Sequence, residues 1–185
     1  MNKFITLWVL SFLFLTGCAT LESKVRVTSN LRIYEFNDLS SQYMARPTFV
    51  SVLNYSNKKL LHVSTNEYGK VGYEPEKVNH IYFSQSNVDK YITLIDKYLN
   101  WESIAIERND LLDKQIGEAE GHHPLLFTLY SSNAKNHYLV ITTNTGVVNM
   151  WPTYFPRQEA LNLRILLLNF KANKFDNIDA NEFYH

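Results

Sequence analysis

Residues 86–108 read SNVDKYITLIDKYLNWESIAIER, and this stretch decides the class of the fold. Val88, Ile92, Ile95 and Leu99 recur at helical spacing, while Tyr91, Leu94 and Tyr98 widen the same stripe. The pattern continues through Trp101, Ile104 and Ala105 toward Arg108. Ser86, followed three residues later by Asp89, reads as an approximate capping box. A helix of about twenty residues with so broad an apolar stripe needs a sheet to bury it.

In both directions away from this helix the pattern turns from helical to β-rich. Upstream, residues 31–36, 48–54, 59–65 and 79–84 are rich in β-branched and aromatic side chains and read as strands, with a hairpin turn at 54–58. Residues 67–77, holding Gly69, Gly72 and Pro75, read as a loop. Downstream, the polar stretch 109–124 precedes three strands, 125–131, 137–143 and 147–151, joined by the turns Ser132-Asn133-Ala134-Lys135 and Asn144-Thr145-Gly146. Pro152 and Pro156 stop the last of these. A second helix follows over 157–171, with Ala160, Leu161, Ile165, Leu168 and the crowded Leu166-Leu167 on a mostly buried surface. The order of strands, helix, three strands, helix predicts an α+β fold: one antiparallel sheet of six to seven strands with two helices packed against it. A single domain over 31–172 and a polar tail over 173–185 are expected. Tyr82-Phe83-Ser84 and Tyr154-Phe155-Pro156 each stand just before a helix and hint at a duplicated unit.

The first seventeen residues have a different character. A basic start at Lys3, an apolar stretch of about 13 residues and small residues before Cys18 make up a secretory signal. The apolar stretch is shorter than the roughly 20 residues a spanning helix requires. Leu15-Thr16-Gly17-Cys18 resembles the lipobox of bacterial lipoproteins. That resemblance covers about the first twenty residues and implies a diacylglyceryl group on the Cys18 thiol, cleavage after Gly17 and acylation of the new amino terminus. At about 0.8 kcal/mol per buried methylene, two or more chains anchor a protein stably. Ala19 stands where an Asp commonly signals inner-membrane retention, so the resemblance implies the outer membrane, facing the periplasm. In a Gram-positive source it implies the outer face of the plasma membrane. Residues 18–30 are expected to form a short tether, of up to roughly 40 Å if fully extended. The alternation of Val25 and Val27 equally fits a first edge strand.

Cys18 is the only cysteine, so its lipidation leaves no thiol for a disulfide, a metal or a nucleophile. Stability then rests on a core, for which 45% hydrophobic and 14% aromatic residues are ample. With 18 basic and 18 acidic residues and no basic stripe, the chain lacks the positive face that nucleic-acid binding needs.

Chemistry is fainter. Glu118, Glu120, His122 and His123 sit in one glycine-flanked stretch and offer metal ligands or an acid and base for a periplasmic metal-assisted hydrolase. Adjacent histidines on an extended chain point to opposite sides, however, and no helical His-Glu pairing sets a site. A solvated loop is the plainer reading. His62, His80 and His137 fall on expected strands, and their meeting with Glu118 or Glu120 would strengthen the metal case. No nucleophile elbow or phosphate loop is present, and no motif asks for a cofactor.

Aromatic residues offer the other signal. Trp151 and Tyr154, beside Met150 and Phe155, suit either the core or a stacking platform for a sugar ring or a partner protein. Tyr68 and Tyr73, in the glycine-bearing loop, are expected to be exposed contact residues. The sequence therefore leans to a membrane-anchored envelope module without catalysis, binding a protein or cell-wall partner.

Overall fold

The computed structural model describes residues 20–65, 80–144 and 152–176. The leader with Cys18, the segment holding Tyr68 and Tyr73, the strand expected at 147–151 with Trp151, and most of the tail lie outside the described residues.

The fold is mixed α and β, as expected, and the described residues form two helices, but also ten strands in two antiparallel sheets rather than one. Six strands come first: β1 (Leu21–Val27), β2 (Ile33–Asn37), β3 (Gln42–Arg46), β4 (Phe49–Tyr55), β5 (Lys58–Ser64) and β6 (His80–Ser84). A one-turn 3-10 helix, Gln85–Asn87, leads into α1 (Val88–Arg108). Then come β7 (Asp113–Ala119), β8 (Leu125–Asn133), β9 (Asn136–Thr143), β10 (Thr153–Pro156) and α2 (Arg157–Lys171). Four strands are described between the helices: the polar stretch after α1 pairs as β7, β8 and β9 stand where strands are expected, and β10 lies beyond the expected 147–151, between the two prolines read as stopping that strand. The N-terminal segment takes the strand reading: β1 pairs along β4.

One sheet has the order β1-β4-β5-β6 and the other β3-β2-β10-β9-β8-β7. Hairpins join β2 to β3, β4 to β5, β7 to β8 and β8 to β9. β2 and β10 meet through a single register pair, Tyr34 with Tyr154.

Strand alternation sends one set of side chains inward from each sheet. Val50, Val52, Leu61, Val63, Ile81 and Phe83 do so from the first, and Ile33, Phe127, Leu129, Leu139, Ile141 and Phe155 from the second. Both sets join one cluster with the helices. Tyr91 of α1 links them, its ring edge-on to Phe83 at 5.1 Å and stacked over Phe127 at 6.3 Å. Its hydroxyl donates to the Glu120 carbonyl and accepts from the Ser84 N–H at 3.1 Å, so no polar atom of this buried ring goes unmet.

The α1 stripe centres on Tyr91, Leu94, Ile95 and Tyr98, whereas Ile92 and Leu99 are only partly buried. The expected capping box does not form: Asn87 occupies the N-cap, and the Ser86 hydroxyl bonds instead to Ser84 at 2.9 Å. α1 ends at Asn109, whose left-handed φ of 55° lets Asp110 N–H reach the Ala105 carbonyl at 2.9 Å. α2 buries Ala160, Leu163, Leu166, Leu167 and Phe170, while Ile165 and Leu168, expected inside, are exposed. Across the helix pair, Arg157 ion-pairs with the buried Glu102, Arg164 with Asp96 at 2.6 Å, and Lys171 with Asp89 at 2.6 Å. No helix among the described residues is long and apolar enough to cross a membrane.

Candidate functional site

Both helices cover the same face of the six-stranded sheet, because Phe127, Leu129, Leu139, Ile141 and Phe155 all point into the shared core. The alternate residues of the same strands therefore form a second face, on which no described helix packs. That face is aromatic. Tyr130 of β8 stands opposite Tyr138 of β9, Tyr154 of β10 opposite Tyr34 of β2, and Phe36 of β2 opposite Tyr43 of β3.

These rings converge on Tyr43. Its centroid lies 4.5 Å from Tyr138, 4.7 Å from Tyr154, 5.2 Å from Phe36 and 6.3 Å from Tyr130. Tyr154 in turn lies 5.9 Å from Tyr130 and 6.0 Å from Tyr138, so four phenols form a closed group with Phe36 at its rim. The tilted and edge-on arrangements match the quadrupole preference of aromatic rings. Tyr138 is buried, Phe36 is 48% exposed, and Tyr34, Tyr43, Tyr130 and Tyr154 lie between.

Burial chiefly, then hydrogen bonding to Tyr130, pushes the Tyr43 phenol far above its ordinary range. Burial likewise raises Tyr138 and Tyr154, and Tyr154 feels the nearby Asp113 carboxylate as well. Asp113 and Glu118 lie on the edge strand β7, paired with Tyr130 and Leu126 and so on the same face. The surface is thus a patch of neutral rings and hydroxyls with acidic side chains at one border. Such a patch suits an uncharged, hydroxyl-bearing ligand and repels an anionic one.

The other expected residues are distributed differently. Tyr154 belongs to the cluster. Cys18, Tyr68, Tyr73 and Trp151 lie outside the described residues. His122 and His123 come together, their rings 4.7 Å apart and not on opposite sides as adjacent strand residues would be, but no group of three or more His, Cys, Asp or Glu among the described residues is arranged to hold a metal ion. His122 instead places Nδ1 3.3 Å from the Lys58 ammonium and its ring edge-on to Tyr82 at 5.5 Å. Burial, Lys58 and His123 together lower its pKa. Glu120 contributes its carbonyl, to Tyr91 and to Asn87 Nδ2 at 3.1 Å. Gly121 is required here, since an added Cβ would stand 2.8 Å from the Tyr82 carbonyl oxygen and 2.9 Å from that of His123.

The strand histidines are also engaged elsewhere. His62 Nε2 and His80 Nδ1 share a 2.9 Å hydrogen bond, with the Tyr82 ring stacked 4.6 Å from His62. Burial lowers the His80 pKa. His137 is buried, with Nδ1 2.7 Å from Ser131 Oγ and Nε2 3.3 Å from the Ala134 carbonyl. Ser131 Oγ also accepts from Leu112 N–H at 3.1 Å. This Ser-His contact pins the β8–β9 hairpin, and the second imidazole nitrogen meets a carbonyl where a catalytic triad would present a carboxylate.

Sequence reasoning missed Tyr34, Phe36, Tyr43, Tyr130 and Tyr138. A signal existed for two of them: Tyr130 and Tyr138 share the strand parity of the polar Thr128 and Thr142, opposite to Phe127 and Ile141. The chain matches no protein-family model, no curated protein and no solved structure.

Proposed function

We propose that this chain is a lipid-anchored protein of the cell envelope, held through Cys18 and sorted to the outer membrane. In this reading it binds the cell wall through its tyrosine face and carries out no reaction. The carrying observation is the convergence of Tyr43, Tyr130, Tyr138 and Tyr154 on a sheet face bearing no described helix. The C–H faces of a sugar ring pack on aromatic rings, and its hydroxyls find phenol oxygens that stay neutral. Acidic Asp113 and Glu118 at the border favour an uncharged stretch of glycan over an anionic polymer. The lipobox resemblance of Leu15-Thr16-Gly17-Cys18 supports the anchoring half of the reading.

Co-sedimentation of the full chain, in neutral detergent, with insoluble cell-wall glycan tests the binding half. The wild-type chain is expected in the pellet, and Tyr43→Ala with Tyr154→Ala in the supernatant while circular dichroism stays unchanged. Equal pelleting of both proteins would refute it. The intact mass of protein taken from cells tests the anchor separately, and a bare polypeptide mass would remove it.

A further inference from the structure

A cavity of about 470 Å³ opens where four pieces of the chain meet, and the tyrosine face contributes nothing to it. The β4–β5 turn supplies Asn57, β5 supplies Lys58 and Lys59, the junction of β6 with the 3-10 turn supplies Ser84 and Ser86, and the end of α2 supplies Lys171. Three lysines therefore line one hollow, Lys58 and Lys59 leaving opposite faces of β5.

Two of them are already oriented by carboxylates. Lys171 holds Asp89 and Lys59 holds Asp176. Lys171 and Asp89 are 50% and 76% exposed, so their ion pair is open to water and weak, whereas Lys59 is 16% exposed and held more firmly. An incoming anion can therefore share Lys171 at little cost. Lys58 differs, because its partners are the His122 imidazole at 3.3 Å and the Tyr55 ring at 5.5 Å, neither of which carries a negative charge. No carboxylate among the described residues pairs with it.

The uncharged lining is also rich in donors. The Ser84 and Ser86 hydroxyls lie 2.9 Å apart, and because one proton serves that bond, the other is left for a guest. Gln85 Nε2 bonds to the Phe170 carbonyl at 3.1 Å and to Asn173 Oδ1 at 2.6 Å, which fixes the wall between the 3-10 turn and α2. A hollow lined by three lysines, with one spare hydroxyl proton and no carboxylate in its lining, calls for a guest with several anionic oxygens on one centre.

We propose that this cavity binds a phosphoryl group, carried by a small soluble phosphate compound or by a phospholipid headgroup, with Lys58, Lys171 and the Ser84–Ser86 hydroxyls as its ligands. Charge-assisted hydrogen bonds from lysine hold the oxygens, and the volume accommodates a phosphoryl group together with a group the size of glycerol.

The test is calorimetric titration of the full chain in neutral detergent with inorganic phosphate and with glycerol phosphate, alongside flotation with phosphatidylglycerol vesicles. Saturable binding is expected, weakened about tenfold by Lys58→Gln or Lys171→Gln and lost in the double variant, while Lys135→Gln on the β8–β9 turn leaves it unchanged. Unaltered melting temperatures show that the variants fold. Binding of the soluble phosphates assigns a soluble ligand, and lysine-dependent binding confined to vesicles assigns the headgroup. The proposal is overturned if acetate or chloride gives the same response, if the lysine variants bind as the wild-type chain does, or if no arm binds.

Discussion

The ring centroids of Tyr43 and Tyr138 lie 4.5 Å apart, although their strands stand three places apart in the six-stranded sheet. At about 4.8 Å between neighbouring strands, a flat sheet would separate them by about 14 Å. The β2–β3 hairpin therefore curls back over the sheet, and the tyrosine cluster is the lining of that curl.

Tyr43 should consequently matter more than an edge-strand residue usually does. Tyr43→Ala is expected to lower stability by about 1–2 kcal/mol and Tyr43→Phe, which loses only the hydroxyl, by about 0.5–1 kcal/mol. Urea unfolding of both variants measures this. An unchanged midpoint for the alanine variant would show that the curl stands without the ring.

Arg157 answers the Glu102 carboxylate, whose side chain is only 5% exposed. Removing one partner of a fully buried pair costs about 3–5 kcal/mol, but Arg157 is half exposed, so Arg157→Ala should cost about 2–3 kcal/mol. Glu102→Gln, which removes the charge and keeps the shape, should cost about 1 kcal/mol. The ordering of the two in thermal unfolding is the check, and a milder effect for Arg157→Ala contradicts the pairing.

Gly121→Ala places a methyl against two backbone oxygens that cannot step aside as a side chain would. A loss of about 1–3 kcal/mol is expected, with shifted amide resonances at Tyr82 and His123. By contrast, Gly117 faces Leu94 Cδ2 at 2.7 Å, a movable side-chain end, so Gly117→Ala should be the milder change. Equal losses for the two would mean that the backbone around residue 121 gives way freely.

Stability should fall on both sides of neutrality, for opposite reasons. Burial holds the His80 pKa below its ordinary 6.5, and His122 shifts the same way, so the unfolded chain takes up protons that the fold refuses. Their contribution is complete above 6.5 and drains away as pH falls below it. On the alkaline side, Tyr43, Tyr82, Tyr91, Tyr98, Tyr138 and Tyr154 keep their protons in the fold above the ordinary 10.0, so stability is lost as pH climbs past that value. Melting temperature against pH should be dome-shaped, with a gentler acid slope in His80→Phe. An absorbance titration should show about half of the 12 tyrosines ionising only with unfolding.

The helices were legible because each buries one continuous stripe, which a 3.6-residue period announces. Ile165 and Leu168 escaped that logic, since apolarity alone does not say which side of a leucine-rich helix meets the core. Strand β7 hid for a different reason. Only Ile116 and Ala119 are buried in it, and a register shift between Gln115 and Gly117 breaks the alternation that would have marked a strand. β3 buries no residue at all and pairs only with β2. The division into two sheets was equally out of reach, because alternation reports which face is covered and leaves the neighbouring strand unspecified. For the candidate site, Tyr154 was legible as part of an aromatic run. Tyr43 and Tyr138 come together only through tertiary curvature, which no local pattern encodes.

Since Tyr34 and Tyr154 form the only register pair between β2 and β10, the curled hairpin is held less by a strand ladder than by Ile33 in the core, by the Arg32 N–H on the Glu159 carboxylate at 2.9 Å and by the grip of its rings. Side-chain packing thus does for this hairpin what a run of backbone rungs does for the other strands.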